Sequence, residues 1–100
     1  MENKPVILCV DDEEIILSSL EIELKNCFGD KYEVQLAESG EEALEVIHEL
    51  MEEGTQLPVV ICDYLMPTMR GDDLLIKIHA LLPKTMKIML TGQATTEGIA

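Results

Sequence analysis

Two continuous apolar runs, each closing on an acid, constrain this chain more than anything else in it. Val6-Ile7-Leu8-Cys9-Val10 runs into Asp11 and Asp12, and Pro58-Val59-Val60-Ile61-Cys62 runs into Asp63. Runs of this length with no polar alternation read as strands buried on both faces, the kind found inside parallel sheets. Between them the period changes to that of a helix. From about Glu13 to Phe28 the apolar residues Ile16, Leu17, Leu20, Leu24 and Cys27 recur at helical spacing. Asp12 is placed to cap that helix and Gly29 to end it. Tyr32 to Ala37 reads as a second strand with Val34 and Leu36 on one face. Ser39-Gly40-Glu41-Glu42 matches a capping box, and Ala43, Leu44, Ile47, Leu50 and Met51 form the stripe of the helix that Gly54 closes. After the third strand, Pro67 and Gly71 interrupt the chain before a helix over about 72–82. Its buried side is Leu74, Leu75, Ile78, Leu81 and Leu82, and Pro83 stops it. Lys87 to Leu90 is a fourth strand ending at Thr91-Gly92, and a further helix begins near Thr95. Strands alternating with helices predict an α/β fold with a parallel sheet, helices on both faces and right-handed crossovers.

In an open parallel sheet, ligands bind beyond the carboxyl ends of the strands, where the strand order reverses. Those ends carry Asp11 and Asp12 on the first strand, Asp63 on the third and Thr91 on the fourth. If the first and third strands are neighbours, three carboxylates converge. They would repel one another and raise their pKa values unless a cation balanced them. Mg2+ suits such a place, because it takes oxygen ligands, keeps several waters and uses one or two carboxylates. The bland reading of Asp11 and Asp12 alone is a helix cap; Asp63 and Thr91 at matching strand ends weigh against it.

The rest of the sequence narrows the function mainly by exclusion. One hundred residues make one domain. A net charge of −13 disfavours nucleic acid and anionic membrane as partners. Seven of the glutamates lie between Glu38 and Glu53 and read as a solvated helix face. No apolar run approaches the ~20 residues of a membrane span, and Met1 to Pro5 lacks the features of a signal peptide. The expected location is cytoplasmic. Cys9, Cys27 and Cys62 have no zinc-like spacing, and Cys9 and Cys62 read as small buried apolar residues. His48 and His79 read as helix-surface residues, and Lys77, Lys84 and Lys87 form no phosphate loop.

Three segments carry a family resemblance. Val10-Asp11-Asp12-Glu13, then Asp63-Tyr64-Leu65-Met66-Pro67 with Met69 and Gly71, then Leu90-Thr91-Gly92, resemble the receiver domains of two-component systems, the CheY-like superfamily. The resemblance extends over the whole chain, 1–100, in order and spacing. It implies a flavodoxin-like doubly wound sheet of order 2-1-3-4, or 2-1-3-4-5 in complete members. It implies that Asp63 takes a phosphoryl group from a phosphohistidine of a histidine kinase or phosphotransfer domain. Asp12 and Asp63 would bind Mg2+ by carboxylate, the backbone carbonyl of Leu65 would be a third ligand, and Asp11 would bind through water. Mn2+ or Ca2+ could substitute. The Thr91 hydroxyl would hydrogen-bond a phosphoryl oxygen, and specificity for the kinase would rest on the first helix, around Ile16 to Ile22. Such a domain assists its own phosphorylation and dephosphorylation without being an enzyme in the usual sense. Gln93, two residues past Thr91, is a candidate for influencing hydrolysis.

The chain departs from that pattern at its end. Family members continue into a fifth strand and last helix, with a lysine beside a proline after the fifth strand; no residue here takes that lysine's place. The expectation is a receiver truncated after its fourth strand, self-associating through the exposed edge of that strand. Two other readings compete. One is a receiver-like interaction module that is never phosphorylated. The other is a Mg2+-dependent aspartyl-phosphate hydrolase of the haloacid dehalogenase type, whose second aspartate is replaced here by Leu65. A flavin site is disfavoured because the acidic loop after the first strand would repel the flavin phosphate.

Overall fold

The computed structural model describes residues 3–91. Within them the elements are β1 (Val6–Val10), α1 (Glu14–Phe28), β2 (Glu33–Ala37), α2 (Gly40–Glu53), β3 (Val59–Asp63), α3 (Gly71–Leu81) and β4 (Met86–Leu90). The four strands form one sheet in the order β2-β1-β3-β4, and every pair is parallel. This is the flavodoxin-like arrangement expected from the sequence. The expected helix near Thr95, and Gln93, lie outside the described residues.

The strand order explains the burial of β1. It is central and has helices on both faces, so all five of its residues are buried. Val6, Leu8 and Val10 point to the side of α2 and α3, where they join Ala43, Ile47, Val60, Cys62, Leu74 and Ile78. Ile7 and Cys9 point to the other side and meet Leu17 and Val34, with Leu20, Leu24 and Leu36 at the margin. β3 alternates instead: Val60 and Cys62 are buried, while Val59 and Ile61 on the α1 side are half-buried. The cause is that α1 packs on β1 and β2. An apolar groove of about 290 Å³ therefore opens beside it, lined by Leu24, Phe28, Val59, Ile61 and Ile88.

The helix ends are set by local chemistry, as expected in one case and not in another. Ser39 caps α2, its Oγ accepting from Glu42 N at 3.1 Å, while the Glu42 carboxylate accepts from Glu38 N at 3.2 Å. Gly54 ends α2 at φ +70°, a conformation only glycine adopts without strain. Asp12 does not cap α1. The cap position is Glu13, which makes no side-chain cap, and Asp11 Oδ1 accepts from Glu13 N at 2.9 Å instead. The carboxylate nearest the sheet is the one that can reach back to this first turn. Lys87 closes α3 from outside, donating to Leu82 O at 3.0 Å and Pro83 O at 3.2 Å.

Four residues of the expected stripes are exposed: Ile16, Cys27, Met51 and Leu81. Helical spacing places each beside its buried face, but the helices cover narrower strips of sheet than the stripes are wide. Cys9 and Cys62 are buried as expected, and burial pushes their thiols up to about 11 and about 12, which keeps both protonated and inert.

Candidate functional site

Because β1 and β3 are adjacent, their carboxyl ends deliver the acids to one place. Oxygens of Asp11, Asp12 and Asp63 lie within 4.8 Å of one another. Asp11 is 2% exposed, which fixes it as part of the floor of the site, while Asp12 is exposed and Asp63 half-buried. The two ion pairs seen among the described residues, Lys25–Glu21 and Arg70–Asp72, lie elsewhere. Burial, with the neighbouring acids adding to it, holds Asp11 above the usual carboxylate range; its bond from Glu13 N acts the other way. Burial and the Asp12 charge do the same to Asp63, offset by the backbone N–H groups of Tyr64 and Leu65. A set of hard oxygen donors with surplus negative charge suits a small divalent cation.

β4 completes the rim. Asp63 pairs in register with Leu90, and Tyr64 N donates to Leu90 O at 3.1 Å, so Thr91 is the next residue beyond the level of Asp63, and it is exposed. Leu65 stands in the loop after β3 with its side chain 47% exposed, while Met66 folds back into the core. The far end of that loop is held by Gly71 N, which donates to Tyr64 O at 2.9 Å. Gly71 is pressed against the backbone at the end of β3; a Cβ there would sit 2.3 Å from Asp63 O. Thr68 Oγ1 donates to Glu41 at 2.9 Å and ties the same loop to α2.

Residues 7–100 match the response regulator receiver domain family. The chain belongs to that family. It is a signalling domain of two-component systems. A CheY-like receiver from Methanospirillum hungatei JF-1 is 35% identical, with a TM-score of 0.76, covering 97% of this chain and 71% of that one. The response regulator TrrA of Thermotoga maritima, in complex with Mg2+ and BeF, is 32% identical with a TM-score of 0.73, covering 93% and 72%. TrrA in complex with the histidine kinase ThkA gives 32% identity and a TM-score of 0.74, covering 92% and 72%. No curated protein matches the chain. No helix among the described residues of this receiver is long and apolar enough to cross a membrane.

Two features of the receiver site were missed by sequence reasoning. Gly71 stands in the sequence as a chain break and a motif residue, and neither reading shows that its lack of a side chain lets α3 start against β3. Arg70 was not singled out at all. Its guanidinium lies 5.3 Å from the centroid of the Tyr64 ring and forks onto Asp72, through Nε at 3.1 Å and Nη2 at 2.5 Å. The spacing from Arg70 to Asp72 was the available signal, and it is a weak one.

The raised carboxyls make a prediction with a definite sign. A group whose folded pKa lies above its unfolded value holds its proton more tightly when folded. Its stabilising contribution is present at low pH and is lost as pH rises through the folded value. The window opens at the ordinary 3.8 and extends upward. Magnesium-free protein is expected to lose stability through these groups as pH rises above about 4, and Asp11→Asn to lose less. Thermal melts of both proteins in a chelator across that range measure it; parallel curves would contradict it.

Proposed function

We propose that this receiver accepts a phosphoryl group on Asp63 from a phosphohistidine of a histidine kinase or phosphotransfer domain. The observation that supports this best is the convergence of Asp11, Asp12 and Asp63 at the ends of two adjacent strands. An Asp63 oxygen attacks phosphorus, and the P–N bond to the imidazole breaks. The ring nitrogen keeps that electron pair, and the product is an acyl phosphate. Phosphoryl transfer of this kind asks mainly for alignment and charge neutralisation.

The residues that would hold Mg2+ are Asp12 and Asp63 by carboxylate, Leu65 by its backbone carbonyl and Asp11 through water. The bound ion would screen the carboxylate nucleophile from an anionic donor. Thr91, at the end of β4, would donate its hydroxyl to a phosphoryl oxygen, and its movement toward the acyl phosphate would carry the change to the β4 surface. The complex of TrrA with ThkA supports the kinase as partner, and TrrA with Mg2+ and BeF supports the ion. Slow loss of the phosphoryl group to water, assisted by the same site, belongs to this reading. So does a cytoplasmic location.

Incubation with acetyl phosphate and Mg2+ is expected to add one phosphoryl mass to the chain, and Asp63→Asn to add none. Mg2+ binding without any added mass would select the interaction-module reading instead.

Self-association is a separate part of the proposal. Among the described residues β4 pairs with β3 alone, and Met86, Ile88 and Met89 on it are exposed. An open strand edge with apolar side chains invites a second copy. Gel filtration is expected to show a dimer or larger species that Ile88→Lys disperses; a monomer at every concentration would remove this part.

A further inference from the structure

We infer that Arg70 is a positioning residue for the cation site, acting through the loop that carries Leu65. This rests on the Mg2+ reading above. The segment from Tyr64 to Arg70 joins the acceptor strand to α3. Its backbone is pinned at the start by Tyr64 N to Leu90 O and closed by Gly71 N to Tyr64 O. Leu65, the next residue, has no such tie through its side chain, which is half exposed.

Arg70 adds a side-chain restraint across the same loop mouth that Gly71 N closes through the backbone. Its guanidinium faces the Tyr64 ring on one side and the two Asp72 oxygens on the other. Asp72 Oδ1 in turn accepts from Asp73 N at 3.0 Å, in the first turn of α3. Ring, guanidinium, carboxylate and helix start therefore form one continuous chain of contacts. An exposed ion pair by itself contributes little. A forked guanidinium that also lies over an aromatic face is a setting in which lysine is a poor replacement for arginine. Loosening the clamp lowers the fraction of molecules whose Leu65 carbonyl is in place, and the apparent affinity falls by that fraction.

The effect has a sign that separates it from simple electrostatics. Arg70 is a positive charge at the end of the loop that follows Asp63, so its removal would leave Mg2+ binding unchanged or tighter if charge were its main influence. Positioning predicts weaker binding. The test is Mg2+ titration by calorimetry, at fixed ionic strength, of the full chain and its variants. Arg70→Ala, Arg70→Lys and Tyr64→Ala are each expected to weaken Mg2+ by about two- to fivefold, the scale of an exposed cation–π contact. Tyr64→Phe keeps the ring and is expected to match the parent. The double variant Arg70→Ala, Tyr64→Ala should be no worse than either single one.

An unchanged or tighter Kd in Arg70→Ala, or full function in Arg70→Lys, would overturn the inference. Asp12→Asn is the control for the reading beneath it. If the parent bound Mg2+ no better than Asp12→Asn, the cation site itself would be wrong, and the role of Arg70 with it. A lower melting temperature in Arg70→Ala with Mg2+ affinity unchanged would mean that the residue is structural only, which also overturns it.

Discussion

Gly71→Ala is expected to destabilise the domain by about 1–3 kcal/mol, the usual cost of forcing atoms into a filled space, and by more if the strand end cannot yield. The added Cβ would lie 2.3 Å from Asp63 O, 2.9 Å from Tyr64 Cα and 3.0 Å from Asp63 C. All three are backbone atoms, so no side chain can swing aside. Either α3 moves off the sheet or the end of β3 shifts, and the second displaces Asp63. Mg2+ affinity is expected to fall along with stability. Gly54→Ala is the comparison. There φ is +70° and nothing lies within 4 Å of the new atom. The cost is backbone strain of roughly 1–2 kcal/mol with Mg2+ binding untouched. Urea unfolding and Mg2+ titration of both variants measure the contrast. A neutral Gly71→Ala would show that the close approach of α3 to β3 is not maintained in solution.

Asp63→Asn is expected to do two opposite things. It removes the proposed acceptor, so no phosphoryl group is expected to be taken up. In magnesium-free solution near neutral pH it also raises the stability of the domain. Burial and the charge of Asp12 both act against the ionised form of Asp63 in the folded state, and the neutral amide removes both penalties. Saturating Mg2+ reverses the ranking. A ligand at about a hundred times its Kd adds roughly 2.7 kcal/mol to the form that binds it, and the variant has lost one of the carboxylates that binds. Thermal melts with and without Mg2+ therefore cross: the variant is above the parent in chelator and below it in the metal. A variant no more stable than the parent in chelator would mean that the carboxylate cluster is relaxed by solvent.

Much of this was legible in the sequence because the two strongest signals are independent of tertiary context. Apolar runs such as Val6 to Val10 can satisfy their burial only in the middle of a layered sheet, and acids at their ends then fall at one rim. The motif around Asp63 to Gly71, with the segments at Asp11-Asp12 and Thr91, carried the family resemblance and, through it, the expected strand order. What was not legible depends on how far one layer extends over another. Ile16 and Cys27 fit the helical period of α1 as well as Leu17 does, yet only Leu17 is buried, because periodicity gives the direction of a face and not the width of its partner. Asp12 met the rule for a helix cap, but Asp11 reached the first turn instead and left Asp12 in the rim. The contact of Gly71 with Asp63 and the placement of Arg70 over the Tyr64 ring arise from the path of a loop, for which residue spacing carries little information.

The most direct test of the central claim is to locate the phosphoryl group. After incubation with acetyl phosphate and Mg2+, reduction with borohydride converts an aspartyl phosphate to homoserine, and peptide mass mapping reads its position. The account predicts homoserine at position 63 alone, formed only when Mg2+ is present. Homoserine at position 11 or 12, or the same yield at position 63 without the ion, would contradict it.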